Sequence, residues 1–149
     1  MKTCMSVMMV FTIVLLSGCA SGPINPVPVV DNPQAASTIY MVRNGNLLAG
    51  GETFSVSVDD TQVYKVRRSQ YAKFLVNPGR HVFGVNCSFD PFNAGADSQV
   101  TMMCKPKQKY YFLVHAGMTK CSVIEALQPE FGESYLQDSK CVSKDCSHE

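Results

Sequence analysis

From residue 38 onward, apolar and polar positions alternate in short runs set apart by turn residues, the period-two pattern of half-buried β-strands. The clearest run is Thr53–Val58, where Phe54, Val56 and Val58 alternate with Thr53, Ser55 and Ser57. Thr38–Val42, Gln62–Val66, Tyr71–Val76, Arg80–Cys87, Ser98–Cys104, Lys109–His115 and Cys121–Leu127 read as further strands, with Lys109–His115 expected to be the most buried. Turns are expected at Asn44-Gly45-Asn46, Asp59-Asp60, Asn77-Pro78-Gly79 and Pro106-Lys107. At the third, proline presets the first central dihedral and glycine supplies the positive φ of a type II turn. Residues 88–97 form a longer loop, and Pro129 opens a short helix over Glu130–Leu136 with Phe131 and Tyr135 one turn apart. This order predicts a mainly β fold over residues 38–137: an antiparallel β-sandwich of about seven to eight strands, with a short C-terminal helix closing one edge. The polar, cysteine-containing tail 138–149 is expected to be loose.

The N-terminal part follows a different pattern. Residues 1–18 have the parts of a secretory signal: a positive charge at Lys2, an apolar run from Met5 to Leu16, then the small residues Ser17 and Gly18 before Cys19. The run is too short to cross a hydrocarbon core, which needs roughly 20 residues. Residues 19–37 contain four prolines and no helical periodicity. They read as a flexible, extended tether of roughly 3 Å per residue that holds the domain tens of Å off a membrane. Pro26 and Pro28 argue against a central strand at Val27–Val30.

Leu16-Ser17-Gly18-Cys19 resembles the lipobox of bacterial lipoproteins. The resemblance implies cleavage between Gly18 and Cys19, a thioether-linked diacylglycerol on the Cys19 thiol, and palmitate-type acylation. Ala20, rather than Asp, follows the cysteine, which implies an outer-membrane address facing the periplasm. Further along, Ile39-Tyr40, Asn77-Pro78-Gly79-Arg80-His81, Lys109-Tyr110-Tyr111-Phe112 and Glu130-Phe131-Gly132-Glu133 resemble, in that order, a family of small bacterial lipoproteins whose globular part is a domain of unknown function. That family looks like an immunoglobulin-like or carboxypeptidase-regulatory-like sandwich. It brings no catalytic residues, and this chain departs from it in its cysteine load and its tail.

Charge and cysteines narrow the chemistry. Removing an 18-residue leader leaves 131 residues (149 − 18), enough for one core. With Lys2 gone, 12 of the 13 Lys+Arg face 12 Asp+Glu, which offers no basic footprint for nucleic acid. Cys4 leaves with the leader and Cys19 carries lipid, so Cys87, Cys104, Cys121, Cys141 and Cys146 remain, a load that fits an oxidising compartment. Being odd in number, they leave one thiol unpaired, intermolecular or modified. Cys87 and Cys104 each fall on their strand's apolar alternation and are expected to bridge; Cys141 pairs with Cys146 or with Cys121. Cys141, Cys146 and His148 with Cys121 lack the spacing of a zinc site, and no metal or cofactor is expected. A cysteine hydrolase built from Cys87, Cys104 or Cys121 with His81 or His115 has no acidic sequence neighbour and no nucleophile elbow, so no catalytic residue is assigned.

Two surface features are left. Lys65, Arg67, Arg68, Lys73 and Arg80 are a candidate basic patch for an anionic surface, and Tyr40, Tyr71, Tyr110, Tyr111 and Phe92 are either an aromatic platform or core. The expected role is that of a non-enzymatic, membrane-anchored envelope interaction or accessory module. Its partners are the membrane, through the N-terminal lipid, and another envelope protein. The alternative is a binder of a small ligand or envelope polymer through the sandwich loops.

Overall fold

A computed structural model describes residues 21–45, 53–87, 98–115, 123–144 and 146. Gly18, Cys19, Asn46, the 88–97 loop with Phe92, Cys121 and His148 lie outside the described residues, and Cys87 is described by its backbone alone. The elements are β1 (Gly22–Pro23), β2 (Ser37–Arg43), β3 (Phe54–Val58), β4 (Thr61–Val66), β5 (Gln70–Val76), β6 (Gly79–Cys87), β7 (Ser98–Cys104), β8 (Lys109–His115), β9 (Val123–Leu127), α1 (Pro129–Gln137) and β10 (Lys140–Cys141). They form two five-stranded sheets, ordered β1-β4-β3-β6-β7 and β10-β5-β2-β8-β9. Among the described residues the chain is a β-sandwich with one short helix, as the alternation predicts.

Period two explains the inter-sheet core. Phe54, Val56, Val58, Phe83 and Val85 of the first sheet meet Ile39, Met41, Phe74, Phe112 and Val114 of the second, all buried. In β4 the alternation slips. Val56 pairs with Tyr64 but Ser57 with Gln62, so Val63 is the extra residue of a β-bulge, and Val63 and Tyr64 are both buried.

The second sheet departs from the expected antiparallel plan at two places. β2 and β8 pair in parallel at its centre, and β10 joins β5 in parallel. It is also covered on both faces. Tyr40, Val42, Tyr111 and Leu113 form a separate cluster on the face away from the first sheet, capped by Leu136 of α1. This third layer explains why β2 and β8 read as nearly continuous apolar runs. β2, with all but Thr38 buried, is more buried than β8, because it is the middle strand.

Asp59 and Asp60, at φ 47° and 64°, make the two-residue link between β3 and β4, the positive-φ pair of a type I′ hairpin. Asn77-Pro78-Gly79, by contrast, reverses no hairpin. It carries the chain from one sheet to the other, and Gly79 takes φ 145°, far from the roughly 80° of a type II turn.

The described parts of both terminal segments are held to the sandwich. Ile24 N–H donates to Val63 O (2.8 Å) and Asn25 Nδ2 to Gln62 O (2.7 Å), so residues 22–25 line the open edge of β4, while Asp31 N–H donates to Asn77 Oδ1 (3.0 Å) and the carbonyls of Ala35 and Ala36 accept from Lys107 N–H; the stretch does not hang as a tether. The prolines suit this edge because it needs few N–H donors. The tail, expected loose, pairs at Lys140–Cys141 with Gln70–Tyr71, and Lys73 N–H donates to Ser143 Oγ (2.7 Å). Val27 and Val142 pack on the core from the two segments.

Candidate functional site

The outer face of the second sheet holds the most organised side chains. Parallel pairing sets Tyr40 directly beside Tyr111, and their rings stack at 4.9 Å and 8°. Tyr71 on β5 lies 6.2 Å from Tyr40, and Lys73 Nζ stands 5.9 Å over the Tyr40 ring. Helix α1 closes this ladder. Gly132 rests on Tyr111 at a spacing that leaves no room for a Cβ, and Tyr111 OH donates to Glu133 Oε1 at 3.2 Å. Pro129 begins the helix with no N–H to satisfy, and Ser139 N–H donates to Leu136 O at its end. With its Gly132–Leu136 side inward, α1 turns Phe131 outward at 63% exposure and Tyr135 at 36%. Tyr40, Tyr71 and Tyr111 therefore belong to a covered layer. Tyr110 points elsewhere: its OH accepts Lys105 N–H (2.8 Å) and donates to Met103 O (3.3 Å), bracing the Pro106-Lys107 turn.

Beside the start of α1 lies a cleft of about 340 Å³ lined by Met102, Tyr110, Phe112 and Leu127, with Gln108 and Gln128 among its polar members. A groove of about 470 Å³ lies between the N-terminal segment and the tail, against Ile24, Val27, Tyr64 and Lys144.

The structure corrects the expected Cys87–Cys104 bridge. Cys104 is opposite Gly79, whereas Cys87 is eight residues further along β6, about 27 Å away at strand rise. Consecutive antiparallel strands end at opposite ends of a sheet, so two residues that close them cannot meet. Cys104 is a free, buried thiol, its pKa pushed up to about 11 from the ordinary 9.0 by burial and then by the charge of Asp59. It is a weak nucleophile. We expect native protein at neutral pH to leave Cys104 unalkylated and denatured protein to alkylate it fully, read by peptide mass mapping. Because the folded thiol holds its proton more tightly than the unfolded one, its contribution to stability is complete below pH 9 and is lost between pH 9 and about 11. A Cys104→Val variant should flatten that alkaline loss in urea titrations.

Cys141 and Cys146 are joined, with Cα atoms 6.1 Å apart, which selects between the two pairings open for Cys141. Among the described residues no three of His, Cys, Asp and Glu converge as a metal site.

The acidic partner that the local sequence lacks is supplied from 22 positions away. Asp59 Oδ2 lies 2.7 Å from His81 Nδ1, its Oδ1 accepts Val82 N–H, and His81 Nε2 faces Asn77 O at 2.8 Å. Both ring nitrogens are thus engaged by acceptors, and the pair buttresses the hairpin turn. His115 Nε2 lies 3.3 Å from Glu125 Oε2. Only an antiparallel register brings such residues together, so no local signal reveals them.

The five basic residues do not form one patch. Lys65, Arg67 and Arg68 gather where β4 leads into β5, Lys73 lies on the outer face near Tyr40, and Arg80 starts β6 at the opposite end, about 20 Å off. Sequence reading missed Arg43, 2% exposed with its guanidinium 3.9 Å from the Phe54 ring centroid. No family model matches the chain, and no curated protein matches it in sequence.

Proposed function

We propose that this chain is a lipid-anchored envelope protein that works by contact with another envelope protein through the outward surface of α1. The observation that carries the reading is the pair Phe131 and Tyr135, one turn apart and exposed on a helix locked in place by Gly132 and Tyr111. Exposed aromatics on a rigid element are efficient interface anchors, because little ordering cost is met on binding. The lipobox-like Leu16-Ser17-Gly18-Cys19 supports the anchoring, and Ala20 supports the outer membrane. Two or more acyl chains hold such a protein stably, at about 0.8 kcal/mol per buried CH2. Confinement to one surface raises local concentration, so modest affinity suffices. A protonated, buried Cys104 and a His81 with both nitrogens engaged support a non-enzymatic role.

The test is a photo-crosslinking residue placed at position 131 or, as control, at position 60 in cells that make the protein. A discrete protein adduct is expected from position 131 only and should weaken sharply when Tyr135→Ala is added to the same chain. Adducts to lipid or polymer alone, or equal adducts from both positions, would sink the reading. The cleft beside Tyr110 and Phe112 favours a second reading, an apolar small-ligand site; native mass spectrometry of protein from the envelope should then retain a stoichiometric adduct that Met102→Trp removes.

A further inference from the structure

Resting on the lipoprotein reading, we infer that the Arg67 end of the sandwich lies against the anionic headgroups of the membrane that holds Cys19. Chain length makes the first part of the case. Gly22 pairs with Lys65 and Pro23 with Tyr64, antiparallel, so the chain before Gly22 leaves in the direction of Val66, Arg67 and Arg68. Cys19 is three residues before Gly22, a span of at most about 10 Å. A lipid on that cysteine therefore keeps this end of the domain near the bilayer surface, whereas the Asp59 end is a full strand length away, about 30 Å along the nine residues of β6.

Charge makes the second part. Lys65, Arg67 and Arg68 are exposed there, and exposed Lys140 joins them because β10 pairs with Gln70 at the start of β5. Asp138, two residues before Lys140, is an acidic residue in the link between α1 and β10. Basic side chains gain from an anionic surface only within about a Debye length, so the group that the anchor holds close is the one that counts. Lys105, Lys107 and Arg80 at the far end stand among Asp31, Asp59 and Asp60 and are out of range. α1 runs over the outer face of the second sheet and ends at Gln137, three residues before Lys140, so its Phe131 surface stands beside the membrane rather than under it.

The experiment uses the mature acylated protein, beginning at Cys19, in detergent and in vesicles of phosphatidylethanolamine with and without phosphatidylglycerol. A water-soluble amine-acylating reagent is applied, and rates at individual lysines are read by mass spectrometry. Lys65 and Lys140 should react several-fold more slowly in the phosphatidylglycerol vesicles than in detergent, with Lys105 and Lys107 unchanged. R67E/R68E should abolish the part of the protection that depends on phosphatidylglycerol. Equal rates at both ends, or protection at Lys105 and Lys107, overturns the inference. The mass of the Cys19 peptide keeps the two ideas separate: no acyl mass refutes the lipoprotein reading itself, while an acylated peptide with unprotected Lys65 refutes only the orientation.

Discussion

Gly132→Ala is expected to destabilise the protein by about 3 kcal/mol, at the upper end of overpacking costs, and to lift α1 from the sheet. Taken alone, the substitution should help, since alanine is favoured over glycine inside a helix by about 1 kcal/mol. The sign reverses because a Cβ at this position would overlap Cβ and Cγ of Tyr111. Those atoms have nowhere to go. Tyr111 lies in a central strand, its ring is stacked on Tyr40, and its hydroxyl is held by Glu133. The helix must yield, and Leu136 leaves its place against the cluster of Tyr40, Val42, Tyr111 and Leu113 as it does so. The urea midpoint should fall, and amide exchange across residues 129–137 should accelerate more than in β3 or β6. A variant as stable as the parent would show that α1 is not pinned at this contact.

Phe112→Ala is the second large effect, about 4 kcal/mol, and it acts on the other face of the same strand. Phe112 is fully buried between the sheets, 4.8 Å from Phe83, whose ring also reaches Phe74 at 6.5 Å. Truncation removes the aromatic volume from the middle of that cluster, and the neighbouring strands are too tightly paired to collapse into the space. Where domain stability is only 5–15 kcal/mol, this is enough to unfold a large fraction of the molecules on warming. The milder Phe112→Leu should cost about 1 kcal/mol and keep the measurement within range. Neighbouring residues 111 and 112 thus report on separate interfaces. Gly132→Ala should open the outer layer while the inter-sheet core persists, and Phe112→Ala should lower the whole cooperative transition. A Phe112→Ala loss under 1 kcal/mol would mean that the inter-sheet core is not the main source of stability.

How far the residues announce this arrangement differs from element to element. Phe54, Val56 and Val58 declare their buried face, and Pro129 declares the start of α1, because both signals are local. Apolar tracts such as Thr38–Val42 reveal a strand but not that it is covered twice, since a run buried on both faces has no period left to read. The proline-spaced stretch 21–36 looks like a tether for a similar reason: its composition shows that it cannot be a central strand, yet says nothing of the β4 edge that receives residues 22–25 or of Asn77 and Lys107, which hold the residues after them.

The same contrast holds for the candidate chemistry. Sequence alone determined the eight main strands, the Asp59-Asp60 turn, the short helix with its Phe131–Tyr135 face, and the cysteine inventory, all set by side-chain period and local backbone preference. Tertiary structure decided which strands are neighbours. Through that it set Cys87 and Cys104 at opposite ends, Asp59 against His81, Tyr40 on Tyr111, and the basic residues in three separate places. The physical reason is that periodicity specifies which face of a strand is buried, while the hydrogen-bond ladder that chooses its neighbour is made of backbone common to every residue.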